Sequence, residues 1–305
     1  MCTAVRAQVA KRTFELQGMS PSFWNLVDHN AQLAKVASGF GFTEGPVWDK
    51  AGYLWVSDET LNKIFRLNVA SGQKQEMISL GDPDGNTYDT QQRLLDCASV
   101  LRAIIRLSPD DKSYAIVADR YQGKRLNSPN DVVIGPDGAI YFTDPNMDLV
   151  AGQKQEIPFQ GVYRIAKNGQ VQLLTKDLTQ PNGLVFSPDG KKLYVDDSEQ
   201  QNIRVYDFQS DGTLANGRIF GVETADPKDG VPDGMKVDME GNLYVVGPKG
   251  IWVWSHQGAH LGTIVVPEQP ANLAWGDADY STLYITAETS VYKIHTKAHG
   301  FIPTL

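Results

Sequence analysis

One phrase recurs six times along the chain. Each copy begins with an oxygen-bearing polar residue, continues through a short apolar run and a turn, and ends in a run rich in aromatic and β-branched residues. The copies begin at six leading residues, which are Glu44, Asp84, Asn130, Asn182, Asp233 and Asn272. In the first five copies the same interval separates the leading residue from the turn, as it does between Glu44 and Gly52. A repeat of this kind constrains the fold strongly, because every copy must form the same structural unit.

A third strand-like run follows each copy, for example "GVYRIAK" after the third and "GIWVWS" after the fifth. Alternating aromatic and β-branched residues between Asp, Asn and Gly turns indicate antiparallel hairpins. The spacing of roughly 40–50 residues between copies is that of a four-stranded propeller blade. The sequence therefore predicts an all-β fold, a six-bladed β-propeller in which residues 31–305 form a single domain.

The chain also has to close its ring, since an open ring would leave sheet edges exposed. The stretch "AQLAKVASGF" (31–40) is predicted to be the strand that completes the blade begun at Asn272. Residues 1–30 are predicted to form an N-terminal arm, with a short helix within "SPSFWNLVD". The longest interruption of the repeat, residues 146–160, is expected to be a loop over one face of the ring.

The leading residues indicate a cation site. The innermost strand of each propeller blade lines the central channel, so residues at one register meet at one end of the axis. Three of the six leading residues carry carboxylates, which repel one another unless they are protonated or share a cation. Oxygen ligands from Glu, Asp and Asn suit Ca²⁺, Mg²⁺ or Mn²⁺. The five histidines all lie outside these positions.

Composition excludes several other classes of protein. A net charge of −8 and a pI of about 5.1 argue against binding to nucleic acid. No apolar run is long enough to span a bilayer, and two cysteines cannot make a disulfide framework. The first residues lack the apolar stretch of a signal peptide, which favours a cytoplasmic location; a periplasmic location stays open if a signal peptide was removed. The sequence leaves the oligomeric state open.

Five segments carry a resemblance to a known family. They are "FTEGPVW" (42–48), "GKRLNSPNDVV" (123–133), "FTDP" (142–145), "PNGLVFSPDGKKLYV" (181–195) and "PDGMKVD" (232–238). In their order they resemble the gluconolactonase/regucalcin family of six-bladed propeller lactonases, and the bacterial gluconolactonase branch in particular. The resemblance implies a lactone-opening hydrolase with one divalent metal ion held by Glu44, Asn182 and Asp233. Calcium is the expected ion, with magnesium, manganese, zinc and iron as alternatives.

The resemblance and the chemistry together predict a mechanism. The metal polarises the lactone carbonyl and stabilises the oxyanion, while Asp233 acts as general base for the attacking water. In the alternative, metal-bound water is itself the nucleophile and Asp233 is only a ligand. Asn130, Arg125 and Asp84 are predicted to contact the substrate, which is expected to be a small-molecule lactone.

Two segments depart from the family pattern. "DCASVLRAII" (96–105) lacks the Cys-Glu-His-Gly-like phrase of the second blade, and "NMDLVAG" (146–152) replaces a Pro-Tyr-Gly-type loop. Fewer polar groups at the pocket rim would suit a lactone with fewer hydroxyl groups than a sugar lactone. The other hypotheses are another metal-dependent ester or lactone hydrolase, a non-enzymatic ligand-binding propeller, and a metal-independent propeller resembling strictosidine synthase.

Overall fold

The computed structural model of the chain describes residues 12–303, whose strands form six sheets of four or five strands around a central axis and one separate two-stranded sheet. In chain order the elements are β1 (Glu15–Gly18), α1 (Phe23–Leu26), β2 (Leu33–Ser38), β3 (Thr43–Trp48), β4 (Leu54–Asp58), β5 (Lys63–Asn68), β6 (Gln73–Ser79), β7 (Pro83–Tyr88), β8 (Leu94–Ala98), β9 (Ala103–Leu107), β10 (Tyr114–Ala118), β11 (Arg120–Tyr121), β12 (Lys124–Arg125), β13 (Val132–Ile134), β14 (Ile140–Asp144), β15 (Gly161–Ile165), β16 (Val171–Thr175), β17 (Pro181–Phe186), β18 (Lys192–Asp197), β19 (Asn202–Phe208), β20 (Leu214–Val222), a 3-10 helix (Pro227–Asp229), β21 (Met235–Val237), β22 (Leu243–Gly247), β23 (Gly250–Trp254), β24 (His260–Val265), β25 (Pro270–Gly276), β26 (Thr282–Ala287) and β27 (Ser290–His295).

Each repeat forms one antiparallel blade. Blades 1 to 4 are β3–β6, β7–β10, β13–β16 and β17–β20, in chain order from the axis outward. Blade 5 consists of β21–β24 with β1 as an additional outer strand, and blade 6 consists of β25–β27 with β2 outermost. The predicted six-bladed propeller is confirmed, and the small β11–β12 hairpin lies between blades 2 and 3.

The turns predicted between the first two strands of each blade have a shared backbone signature. The residue in the turn position has a positive φ in all six blades, at Gly52, Gln92, Gly138, Gly190, Gly241 and Tyr280. This left-handed conformation is easily reached by glycine, which explains its occurrence at four of the positions. The same interval therefore gives the same hairpin in every blade.

The N-terminal segment closes the ring. Strand β2 pairs antiparallel with β27, with Lys35 opposite Tyr292, and so completes blade 6 as predicted. Strand β1 pairs with β24 of blade 5, and the single turn of helix α1 buries Phe23 and Leu26 against blades 5 and 6. The arm predicted for residues 1–30 thus adds a strand to a blade, and its first part, residues 1–11, lies outside the described residues. Within residues 12–303 no helix is long and apolar enough to cross a membrane.

The hydrophobic core is divided among the blades. Six clusters of buried residues within the described range occupy the six interfaces between neighbouring blades. Between blades 2 and 3, for example, Leu95 and Ile104 pack with Val132 and Phe142. Each blade is therefore stabilised mainly by apolar packing against its two neighbours, and polar residues lie along the axis itself.

The loops at one end of the ring are the longest. The leading residues lie at this end, because Glu44 near the start of β3 pairs with Ser57 near the end of β4. The same end carries the connection 119–131 between blades 2 and 3 and the loop 145–160 of blade 3. Glu156 Oε2 of that loop accepts a hydrogen bond of 2.8 Å from the backbone N–H of Arg125. The loop predicted for 146–160 therefore lies over this end, here called the channel mouth.

Candidate active site

The six leading residues meet around the channel mouth through contacts between neighbouring blades. Thr143 Oγ1 in blade 3 donates to the carbonyl of Asn182 in blade 4 at 2.7 Å. The N–H of Gly85 donates to the carbonyl of Asn130 at 2.8 Å. Asn272 Nδ2 in blade 6 donates to Glu44 Oε2 in blade 1 at 2.9 Å, which closes the circle. These bonds link residues from distant parts of the sequence at one level of the axis.

Glycines after the leading residues allow this close approach. A Cβ on Gly45 would lie 1.9 Å from the carbonyl oxygen of Asp84, and a Cβ on Gly183 would lie 2.2 Å from that of Asp233. No side chain fits at such a distance, so the Glu-Gly and Asn-Gly pairs of the repeat are required by packing. The glycines thereby bring the leading side chains of adjacent blades together.

The three leading carboxylates have unequal surroundings. Glu44 is buried, and its Oε2 also accepts a hydrogen bond of 2.6 Å from the N–H of Gly45. Asp84 is equally buried, and its Oδ2 accepts from Asn130 Nδ2 at 2.8 Å. Asp233 is partly exposed, and its carboxylate is hydrogen-bonded by the side chain of Asn182. Asp233 is therefore the leading acid most open to a molecule at the mouth.

Burial and mutual repulsion raise the pKa values of these acids. Burial, with a smaller contribution from the charge of Asp131, raises the pKa of Glu44 to about 7. Burial and then the charges of Glu44 and Asp131 raise the pKa of Asp233 well above its ordinary range. The pKa of Asp84 is raised in the same direction, first by burial and then by the charges of Glu59 and Glu44. Without a compensating positive charge the mouth therefore favours protonated carboxyls.

These residues fit a hard divalent cation on the chemistry of their donors. Glu44 and Asp233 supply carboxylate oxygens and Asn182 can supply an amide oxygen, which is the donor set that Ca²⁺ and Mg²⁺ prefer. Among residues 12–303, no group of three or more His, Cys, Asp or Glu side chains is arranged to hold a metal ion. An ion at the mouth would therefore depend on the amide of Asn182 as well as on acids.

Arg125, predicted to contact the substrate, is engaged elsewhere. Its Nη2 donates to the carbonyl of Leu101, and its Nε lies 4.0 Å from Asp119 Oδ2. The buried Arg102 of blade 2 also donates from Nε to the carbonyl of Leu126 in this connection at 2.6 Å. The two arginines join the 119–131 connection to blade 2, so substrate binding by Arg125 remains a prediction without support from its contacts.

Two serines that the sequence reasoning missed connect the leading residues. Ser198 Oγ accepts from Asn182 Nδ2 at 3.1 Å and donates at 2.6 Å to the carbonyl of Pro232, directly before Asp233. In blade 2, Ser99 Oγ donates to the carbonyl of Pro129 at 2.6 Å and lies 3.4 Å from Asp84 Oδ2. Both serines directly follow the second strand of their blade, and this shared repeat position is the signal that could have identified them.

A basic side chain also reaches the group. Lys236 Nζ donates to Asn272 Oδ1 at 3.3 Å, while Nδ2 of the same amide donates to Glu44. Lys236 was missed because it lies inside a strand rather than at a leading position. Its positive charge lies close enough to Glu44 to oppose the rise in the pKa of that residue.

Comparison with known proteins identifies the family. Residues 42–289 match the family described as SMP-30/Gluconolactonase/LRE-like region. The chain belongs to this family. It is 33% identical to the gluconolactonase of Zymomonas mobilis over 96% of this chain and 91% of that protein. The gluconolactonase structure from Xanthomonas campestris superimposes with a TM-score of 0.86 at 30% identity, covering 94% of this chain and 97% of that one.

A third relative shares the fold at lower identity. The regucalcin structure from Agrobacterium tumefaciens, described as a calcium-binding protein, has a TM-score of 0.76 at 20% identity, covering 90% of this chain and 97% of that one. The predicted family and fold are confirmed by these matches together. The protein is a lactonase-type hydrolase whose substrate is a small-molecule lactone.

Proposed function

We propose that the channel mouth is the active site of a metal-dependent, gluconolactonase-like hydrolase in which Asp233 is the general base. The main support for this proposal is the position of Asp233. Asp233 is a partly exposed residue, and its carboxylate is hydrogen-bonded by Asn182 and close to the charge of Glu44 at the point where the six inner strands converge. A carboxylate in such a place can both face a cation and take a proton from water.

Glu44, Asn182 and Asp233 are the proposed metal ligands, with Ca²⁺ as the expected ion and Mg²⁺, Mn²⁺, Zn²⁺ or Fe²⁺ as alternatives. The raised pKa values of Glu44 and Asp233 support this assignment, because closely spaced acids store repulsion that a cation relieves. A divalent ion there would supply the positive charge that polarises the lactone carbonyl and keeps these carboxylates ionised.

The remaining steps are assigned to side chains of this protein. Asp233 takes a proton from the water that attacks the carbonyl carbon, and the ring C–O bond then breaks. The proton passes to the departing ring oxygen, so that lactone and water give one hydroxy acid. Asn130 and Asp84 are assigned to substrate binding. Their 2.8 Å hydrogen bond supports this, because it holds the Asn130 amide in one orientation toward the mouth.

The test uses protein stripped by a chelator and restored with Ca²⁺, Mg²⁺, Mn²⁺ or Zn²⁺ singly. Hydrolysis of glucono-δ-lactone and of simple aliphatic lactones is measured with the spontaneous rate subtracted. We expect metal-restored turnover that falls roughly 10²–10⁴-fold in Asp233→Asn, the usual contribution of a general base. Metal binding, measured by calorimetry, should persist in this variant with lower affinity.

The matched control is Asp226→Asn, which changes an exposed acid of the same connection. It should keep the activity of the unmodified protein. Turnover within about threefold of normal in Asp233→Asn would mean that Asp233 is only a ligand and that metal-bound water is the nucleophile. Full activity after chelation would refute metal dependence.

A further inference from the structure

One half of the mouth rim exposes large apolar side chains beside its polar ones. Leu61 lies in the turn between β4 and β5 of blade 1, and Met147 and Val150 lie in the 145–160 loop of blade 3. These side chains are 46%, 38% and 43% exposed, respectively. Burying apolar groups this open to water against a ligand at the mouth would be favourable.

The three residues belong to one continuous stretch of rim. Beside Leu61, the side chain of Asn62 accepts from the N–H of Asp82 at 2.9 Å, which joins blade 1 to the connection leading into blade 2. Gly81 of that connection lies beside the Val100 side chain, because a Cβ built on Gly81 would lie 3.5 Å from it, which is an ordinary van der Waals distance. Gln153 Nε2 then donates to the carbonyl of Val100 at 2.9 Å.

The loop of blade 3 continues the same stretch. The N–H of Gln153 donates to the carbonyl of Val150 at 2.9 Å, so Val150 is held beside the turn of blade 2. Leu61, Val100, Met147 and Val150 are called the apolar half-rim from here on.

The apolar half-rim borders the leading residues at both of its ends. At the blade 1 end, the N–H of Glu59 donates at 3.1 Å to the carbonyl of Phe42, two residues before Glu44. At the blade 3 end, the N–H of Asp148 donates at 3.2 Å to Ser128 Oγ, two residues before Asn130. A ligand that is bound at the leading residues and extends toward solvent on this side would meet the half-rim together with the acids Glu59 and Asp148.

The turns of the other three blades at the mouth differ in character. Their exposed residues are polar, and they are Glu199 and Gln200 in blade 4, Lys249 in blade 5 and Thr289 in blade 6. A ligand with hydroxyl groups all round would gain nothing against the Leu, Val and Met side chains, whereas apolar ligand surface placed there would bury apolar area, which favours binding. The rim is therefore suited to a ligand that is polar at one end and apolar on one side.

We propose that the apolar half-rim binds the alkyl substituent of the substrate, so that the preferred lactone carries an aliphatic side chain rather than several hydroxyl groups. This inference rests on the proposed lactone hydrolysis at the leading residues. It also agrees with the replacement of polar phrases by "DCASVLRAII" and "NMDLVAG", the two segments that contain Val100, Met147 and Val150.

The experiment compares γ-butyrolactone, γ-hexalactone, γ-octalactone and glucono-δ-lactone with the metal-restored protein. We expect kcat/KM to rise roughly two- to fourfold for each added methylene, as partial to full burial of a CH₂ group implies. The triple variant Leu61→Ser, Met147→Gln, Val150→Thr should remove this dependence on chain length and leave the rate on γ-butyrolactone unchanged. Glu199→Gln with Lys249→Gln, on the polar side, should keep the dependence.

A second readout separates this inference from the proposed hydrolysis. The dissociation constants of 2-alkylcyclopentanones, which resemble the lactones but cannot be hydrolysed, are measured by calorimetry in the same variants. Affinity that rises with chain length only when the apolar half-rim is intact supports the inference, even if no lactone is hydrolysed. Rates and affinities independent of chain length, or a glucono-δ-lactone rate above that of γ-octalactone, would overturn it.

Discussion

Asp58 and Asp197 lie at the same end of the channel as Glu44 and Asp233 and are as deeply buried as Glu44, yet their carboxylate oxygens have different hydrogen-bond partners. The carboxylate of Asp58 accepts backbone N–H groups from Gly41, Phe42 and Leu61 at 2.8, 3.2 and 3.0 Å. Both residues end the second strand of their blade, in blades 1 and 4.

The surroundings of Asp197 repeat those of Asp58. Its carboxylate accepts N–H groups from Thr179, Gln180 and Gln200 at 2.6, 3.1 and 3.0 Å. In each case one aspartate carboxylate holds both the connection that leads into its blade and the turn that follows its strand. These two acids are called the capping acids below.

The leading acids contrast with the capping acids in what surrounds them. Glu44 accepts a hydrogen bond from one backbone N–H. Asp84 accepts one from a side-chain amide and lies near a serine hydroxyl. Both acids lie close to other negative charges. A buried carboxylate saturated by backbone N–H groups stabilises a fold, whereas one placed near other carboxylates destabilises it until a cation or a proton arrives. Burial of an acid alone therefore does not identify its role, whereas its hydrogen-bond partners do.

The largest expected effect is on stability at a capping acid. Asp197→Ala should lower the free energy of unfolding by about 3–5 kcal/mol, because three buried or partly buried N–H groups lose a charged acceptor. The measurement is chemical denaturation of the metal-free protein. Asp233→Ala is the matched change at a leading acid and should lower stability by less than about 1 kcal/mol. Equal losses of stability in the two variants would show that capping acids and leading acids contribute equally to folding.

A smaller effect is expected at Glu44 and depends on pH. Because the pKa of Glu44 is about 7 in the folded protein and 4.5 in its ordinary state, the folded form holds the proton more tightly. Its contribution therefore favours folding at low pH and is lost as pH rises from about 4.5 to 7, by up to about 3 kcal/mol.

The variant Glu44→Gln tests this dependence. Without metal it should match the unmodified protein near the lower end of that pH range and exceed it in stability above the upper end. Denaturation curves across the range, with and without added Ca²⁺, measure the difference. The expectation fails if the two proteins lose stability in parallel as pH rises.

The smallest effect is expected at Ser198, which contacts a proposed metal ligand without being one. Ser198→Ala should cost about 1 kcal/mol of stability, and we expect kcat/KM to fall roughly three- to tenfold because Asn182 loses its partner. Ser187→Ala is the control, since Ser187 Oγ donates to Asp189 in the turn at the opposite end of blade 4. An equal loss of activity in both variants would show a general effect of destabilisation.

The fold and the assembly of the mouth could be predicted because they follow from a local pattern. Glu44, Asn182 and Asp233 share a register with their turns, so one hairpin geometry repeated six times brings them to one axis. Arg125 shows the limit of this reasoning. It lies in the 119–131 connection, outside the repeated phrase. The direction of its side chain depends on the carbonyl of Leu101 in blade 2.

The contacts of the serines were hidden for a related reason, and of the apolar half-rim only the apolar character of its blade 2 and blade 3 segments was visible in the sequence. The hydrogen bonds of Ser198 join two blades, and a sequence pattern within one blade does not record what the next blade offers. Leu61 and Val150 belong to different blades, and their common surface depends on how the 145–160 loop lies. Features set by the shared register of the repeats were therefore predictable, and side-chain contacts between particular residues of neighbouring blades were not.

Closure of the ring by β2 has a consequence for the synthesis of the protein. The ribosome makes β2 about 250 residues before its partner β27, an interval that at ordinary translation rates is on the order of 10–50 s. Until then blades 1 to 5 can form only an open arc, and β2 has no strand to pair with. Nascent chains of this protein should therefore expose unpaired strand edges throughout translation, and in the cell they should depend on protection by chaperones until blade 6 is complete.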